Sequence, residues 1–351
     1  MDNMAGMNAA RGQSSNDENL WAAVFAGHGP TAEKLMDRMW LGAHDDRHQH
    51  LIFPAAKHNL VGVISRLLAT ETNVDISDRW GFSALHYAAM YTSLESAKFL
   101  LKHNADATHR TNDHMTPLEL ATMDVPRDFR TDDFAVYRSR KPGSNVLMVY
   151  HLLRAHADPG RSVDSKKARM NGLHGVQVDC LTGLMQAKRR FGPGEMRQIY
   201  DLLMSSKATI HVQKPGDMNR YGYTPLLMAV FCENNLGVRL CLEAGARRGN
   251  ITLLEHRPLS AIDIAKHKGF GDIVEILNEW EQFSNQVESV REMYYSDHRV
   301  GKIDADFWNL IDQELLIRSK NIKNERMESR QRTELLLKGE ELEGEQDMNI
   351  R

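Results

Sequence analysis

Small and apolar residues recur along this chain at a fixed interval of 33 positions. Ala55-Ala56 returns at Ala88-Ala89 and again at Ala121-Thr122, and Ala22-Ala23 lies a further 33 residues upstream. A leucine stands thirteen residues beyond the first alanine of three of these pairs, at Leu35, Leu68 and Leu101. Small residues at one site and leucines at a fixed later site predict two short helices packed back to back. A period of this size marks an array of repeats. The flanks supply punctuation. Asp78-Arg79-Trp80-Gly81-Phe82-Ser83-Ala84-Leu85-His86-Tyr87 precedes Ala88, and Asn219-Arg220-Tyr221-Gly222-Tyr223-Thr224-Pro225-Leu226-Leu227-Met228 precedes Ala229. In each, a glycine provides the positive φ of a tight turn, and Ser-Ala or Thr-Pro then opens a helix. Thr116-Pro117-Leu118-Glu119-Leu120 repeats the opening, with His114 where the turn glycine should be.

This pattern resembles the ankyrin repeat, in which Asp-x-x-Gly-x-Thr-Pro-Leu-His-x-Ala-Ala is followed by a second helix ending in Leu-Leu. The match is strongest over 78–106, including Leu85-His86 and Phe99-Leu100-Leu101-Lys102-His103-Asn104-Ala105-Asp106, and nearly as good over 219–246. Weaker copies run Leu20–Arg38, Leu51–Leu68, Thr116–Asp158, Thr182–Ala208 and Ser260–Leu277. The resemblance implies an all-α fold. The expected architecture is an ankyrin-like solenoid of about seven helix pairs with short β-turn or hairpin connections, plus a helical C-terminal tail. It also implies that His86 is a structural residue bonding between turns rather than a catalytic one.

The expected organisation has three parts. Residues 1–19, rich in Asn, Ser and Gly and without the apolar segment of a signal peptide, read as a disordered lead-in. Residues 20–280 form the array, and 281–351 form a charged helical tail. Two insertions break the period. One lies near 123–145, where the leucine due at about 134 appears only at Leu153, and the other near 159–181. Both read as surface loops. In the tail, 318–332 hold six Lys/Arg and two acids, and 333–347 hold one Lys and six acids. Two readings stand for it: a solvated helix, or an anchor docking Phe307, Trp308, Leu335 and Leu336 onto another subunit.

Composition narrows the chemistry. The net charge is −3, with 42% hydrophobic and 26% charged residues, so nucleic acid is disfavoured as a partner although 121–200 carry 14 Lys/Arg against 8 Asp/Glu. No run approaches the roughly 20 apolar residues of a membrane span, so no membrane is expected. Cys180, Cys232 and Cys241 make neither a CxxC pair nor a disulfide framework, which fits a reducing compartment, the cytoplasm with the nucleus as alternative. No phosphate loop, dinucleotide fingerprint, GxSxG elbow or HExxH pair occurs. No enzyme and no cofactor are expected. Gly192-Pro193-Gly194 reads as a turn between the helices of the fifth unit. The one metal-like cluster is His44, His48 and His50, at a turn where polar residues are expected regardless, so it is not read as a metal site.

The expected activity is therefore recognition of another protein. Variable positions of the family, carried onto this chain, place Arg79, Trp80, Phe82, Met90 and Tyr91 on the concave surface, followed by Asn112, Asp113, Met115, Met123 and Asp124. Lys188, Arg189 and Arg190 come next, then Arg220, Tyr221, Tyr223, Phe231 and Cys232. Aromatic and arginine side chains are enriched at interface hot spots. Trp80 and Tyr221, at turn tips beside glycine, are the expected anchors for a segment with apolar residues and acidic flanks. Phe82, Tyr223 and Phe231 are equally readable as core. The protein is expected to be a monomer alone and an adaptor or scaffold. The alternative is a permanently assembled structural subunit held through its tail and insertion loops.

Overall fold

The computed structural model describes residues 18–39, 50–70, 72–123, 143–159, 180–187, 190–206, 224–244, 246, 252–254, 257–282, 321–322 and 324–340. The chain divides into two compact units, Met1–Cys180 and Leu181–Arg351. In the first, helices follow one another in pairs: α1 (18–25) and α2 (Gly29–Met39), α3 (Ile52–Lys57) and α4 (Val61–Leu68), α5 (Ala84–Tyr91) and α6 (Leu94–Lys102), α7 (Pro117–Thr122) and α8 (Ser144–Arg154). In the second lie α9 (Cys180–Gln186), which starts at the boundary, α10 (Pro193–Ser205), α11 (Pro225–Phe231), α12 (Asn235–Glu243), the antiparallel hairpin β1 (Thr252–Leu254) and β2 (Arg257–Leu259), α13 (Ala261–Lys268), α14 (271–282) and α15 (324–340). Among the described residues the fold is all-α apart from that hairpin, whose register pairs Leu253 with Pro258.

Local chemistry sets where each pair begins and bends. Thr116 and Glu119 form a reciprocal capping box: the Thr116 hydroxyl accepts from the Glu119 amide at 3.3 Å, and the Glu119 carboxylate accepts from the Thr116 amide at 2.7 Å. Ser83 with His86 and Ser260 with Asp263 repeat the device. Pro117, Pro193 and Pro225 each occupy the first helical position, where no N–H is needed. Thr116→Ala should therefore cost about 1 kcal/mol, read as a lower urea midpoint for the full chain.

The bend inside five of the pairs is the same left-handed corner. Gly27, Asn59, Thr92, Glu233 and Gly269 all have positive φ, each four residues after a buried alanine. The amide one residue later bonds back to that alanine's carbonyl: His28 to Ala23, Leu60 to Ala55, Ser93 to Ala88, Asn234 to Ala229 and Phe270 to Ala265, at 2.8–2.9 Å. The structural register thus starts at Ala23, one residue after the alanine that the 33-residue spacing selects.

Pairs stack through their alanines. In the first unit α3 packs on α5 and α5 on α7, with Ala55, Ala56, Ala88, Ala89, Leu85 and Leu118 all fully buried. Alanine at these positions lets the helices approach closely enough for leucines to interdigitate. The fully buried leucines of the second helices are Leu67, Leu100 and Leu152, while Leu35, Leu68 and Leu101 are only half-buried. Polar bonds pin each pair to the next. Asn59 accepts from the Ser96 amide at 2.8 Å, the Ser93 hydroxyl donates to the Lys57 carbonyl at 2.6 Å, and the Thr92 hydroxyl donates to Asn145 at 2.9 Å. In the second unit Asn234 does similar work, donating to the Met185 carbonyl at 2.9 Å. Met123 and Asn145, taken as the ends of a surface loop, are in fact buried. Residues 124–142 between them, residues 1–17, and 160–179 of the second insertion lie outside the described residues.

Candidate functional site

The turn before α5 is over-determined by backbone bonds. The Asp78 carboxylate accepts from the amides of Trp80 and Phe82, both at 2.9 Å, and its other oxygen accepts from the Tyr87 hydroxyl at 2.8 Å. The Gly81 amide donates to the Asp78 carbonyl, and Gly81 itself sits at φ +82°. The following turn grips the tip from outside. Asn112 donates its amide to the Trp80 carbonyl at 2.9 Å and its side-chain nitrogen to the Arg79 carbonyl at 3.0 Å. Burial, reinforced by Asp78, pushes the Tyr87 phenol above its ordinary range, so it stays a donor at any physiological pH.

This framework leaves two side chains outside. Trp80 is 46% exposed and Arg79 is exposed, with the guanidinium 3.9 Å from the centre of the indole ring. A cation stacked on an aromatic face holds both in place before any partner arrives. Phe82 points the other way, 2% exposed, and packs edge-on against His86 at 5.7 Å. His86 is fully buried. It accepts from the Ser83 amide at Nδ1 (3.1 Å), and Nε2 lies 3.1 Å from the Met115 carbonyl. A carbonyl can only accept, so Nε2 carries the proton and the ring is neutral. Burial lowers its pKa to about 3.

The helical unit, the glycine turn and the bridging histidine are those of a known family. Residues 52–125 match the family model described as ankyrin repeats in three copies. Those residues are ankyrin repeats. A crystal structure of the human ASB11 ankyrin repeat domain is 17% identical, with a TM-score of 0.46 over 65% of this chain and 82% of that one. No curated protein was found to match the chain. Ankyrin repeats generally mediate protein–protein interactions, and the fold is typically a non-catalytic module.

Around these ankyrin repeats, the other expected contacts scatter. Tyr91 is 4% exposed, with the Lys57 ammonium 5.0 Å from its ring, and is packed inside rather than presented to a partner. Met90, Met115 and Met123 are also buried, so the first helices do not expose the apolar floor that the family positions imply. Asn112 is exposed but spends its side chain on the neighbouring turn. In the second unit Arg190 is half-buried with its guanidinium 5.3 Å over the Phe191 ring, and Phe231 lies beneath Lys268 at 4.2 Å. Lys188, Arg189, Arg220, Tyr221 and Tyr223 lie outside the described residues, as do Phe307, Trp308, His44 and His48. His50 is exposed with its ring 5.7 Å from Phe53. Leu335 is 70% exposed and Leu336 half-buried.

Among the described residues, no three His, Cys, Asp or Glu are grouped to hold a metal ion, and no helix is long and apolar enough to cross a membrane. Cys180 and Cys241 are buried and Cys232 half-buried, and the Cys241 sulfur lies 3.8 Å from that of Met185. Sequence reasoning missed the Arg197–Glu243 pair of the second unit. The guanidinium forks onto the carboxylate with two bonds of 3.1 Å and tethers α10 to α12. The two lie in different repeat copies, and only the folded chain brings them together.

Proposed function

We propose that the protein is a non-catalytic adaptor or scaffold whose repeats bind a segment of another protein, with Trp80 and Arg79 as the principal contact of the first unit. The observation that supports this most directly is the half-exposed indole on a turn locked from both sides. An aromatic side chain fixed in advance loses little entropy on binding, and tryptophan and arginine dominate interface hot spots. The partner segment carries apolar residues to meet the indole and acidic flanks to meet Arg79. In the second unit Arg220, Tyr221 and Tyr223, with Lys188, Arg189 and Arg190, are the proposed counterparts. The setting is a reducing compartment, the cytoplasm or nucleus, and the proposed chain division is a lead-in at 1–19, an array at 20–280 and a tail at 281–351.

The test compares proteins captured by wild type and by Trp80→Ala, followed by titration of the captured partner. Loss of a hot-spot indole should weaken binding by about 1–3 kcal/mol, roughly 5- to 150-fold in Kd. Retention of the same partners at the same affinity removes the turn tip from the interface. A second reading, a permanently assembled subunit, is favoured by one observation: Met327 and Leu335 of α15 stand 53% and 70% exposed. Partners that survive Trp80→Ala but are lost with Leu335→Asp would establish it in place of the first.

A further inference from the structure

Helix α15 meets the second unit through a face that is polar over its first half, with Leu336 and Leu337 half-buried further along the same face. An ordinary amphipathic helix turns its apolar stripe to the core. Here Ser329 and Thr333 are the buried residues, and Met327 and Leu335 point outward. Every described bond between this helix and the repeats is polar. The Arg197 guanidinium donates to the Glu325 carboxylate at 2.9 Å. Arg326 donates to the Glu243 carbonyl at 2.9 Å and lies 3.8 Å from that residue's carboxylate. The Ser329 hydroxyl donates to the Asp201 carboxylate at 2.7 Å. The intervals between residues 326, 329 and 333 place all three on one helical face.

The receiving surface is built without the helix. Arg197 is already paired to Glu243 across α10 and α12, and Tyr200 of α10 donates its hydroxyl to the Leu240 carbonyl of α12 at 3.2 Å. What the helix adds lies on top of this and does not fill the space beneath. A cleft of about 630 Å³ remains between α10, the end of α12 and α15, lined by Asp201, Ser205, Arg326, Arg330 and Glu334 among others. Protein interiors close to crystal density leave no such gap. The helix therefore bridges a cleft of mixed polar and apolar lining, held by ion pairs whose helix-side partners are 61% (Glu325) and 43% (Arg326) exposed, against 11% for Arg197 and 7% for Glu243. Their helix-side ends reach solvent, where salt screens them and water replaces them readily on release.

We propose that α15 is a releasable clasp. In cis it occupies a polar docking surface made by Arg197, Asp201 and Glu243, and in trans a partner helix with arginine and hydroxyl side chains one turn apart takes the same surface. This surface is separate from the turn tip at Trp80, so failure of either proposal leaves the other standing.

The test uses the full chain carrying Arg326→Glu and Ser329→Asp, which put negative charge against Glu243 and Asp201. Amide exchange across 324–340 should accelerate by about tenfold or more while α10 and α12 keep their protection. A labelled peptide of residues 321–343 should bind this variant about tenfold more tightly than wild type, because the cis competitor is gone. Lys338→Gln, at an exposed position of the same helix, should leave both readouts unchanged. Three outcomes overturn the proposal. Loss of protection in α10 and α12 together with α15 would make the helix an integral part of the unit. Unchanged protection in the variant would mean that these contacts do not hold it. Equal peptide binding to variant and wild type, or none to either, would mean that the surface is not a docking site.

Discussion

Gly81→Ala should destabilise the first unit by about 2–4 kcal/mol, a sum of left-handed backbone strain and a steric clash. The residue sits at φ +82°, where a side chain is disfavoured whatever the space around it. The space is also missing: a Cβ there would lie 2.7 Å from the Asn112 backbone nitrogen and 2.8 Å from the Asn112 side-chain oxygen. That nitrogen cannot retreat without losing its bond to the Trp80 carbonyl. Relief of the clash therefore loosens the grip that presents Arg79 and Trp80, and partner affinity should fall along with the urea midpoint. Gly271→Ala is the control, since this residue opens α14 without a positive φ and a Cβ there meets nothing within 4 Å. It should be neutral or slightly stabilising. A Gly81→Ala protein as stable as wild type would show that the turn is not held as described.

Acid should erode the same unit through His86. Its ring is neutral and fully buried, and burial holds its folded pKa at about 3, against about 6.5 in an unfolded chain. Between those values the unfolded state binds a proton that the folded state refuses. The contribution of the neutral ring is thus complete above about pH 6.5 and declines by about 1.4 kcal/mol per pH unit below it, levelling off near pH 3. His86→Leu should remove this slope. It should also cost about 2–5 kcal/mol at neutral pH, because the buried Met115 carbonyl and the Ser83 amide both lose a bond. Urea unfolding at pH 7 and pH 5 separates the effects, since most carboxylates titrate lower. A wild type and a His86→Leu variant with the same loss between those pH values would place the proton elsewhere.

These two residues show how much was legible beforehand and why. Gly81 and His86 are constrained by one repeat touching its neighbour, a contact that recurs with the period and so leaves a trace in sequence. The alanine pairs are visible for the same reason: nothing larger lets helices such as α3 and α5 pack so closely. Trp80 could be placed outside because a turn tip beside a left-handed glycine has no room to fold a large ring inward. Tyr91 and Met123 could not be placed this way. Exposure in a repeat depends on what covers it: the Lys57 side chain lies over Tyr91, and Met123 borders the irregular connection. The tail was least legible. A face of Arg326, Ser329 and Thr333 has the composition of a solvated surface, and only the facing Asp201, Glu243 and Arg197 make it an interface.

Within the first unit, the left-handed corner that closes the first helix of a pair has one conspicuous substitute. Between α7 and α8 the chain has residues 124–142 in place of a one-residue bend. Yet α7 still packs on α8, and Asn145 at the start of α8 still receives the Thr92 hydroxyl from the preceding corner. Stacking in the first unit is therefore specified by side chains meeting across pairs, and direct linkage within a pair is dispensable. For protein engineering this makes 124–142 a port. A reporter or a foreign domain whose ends lie close together can be spliced there while the neighbouring turn, with its exposed tryptophan, keeps its shape.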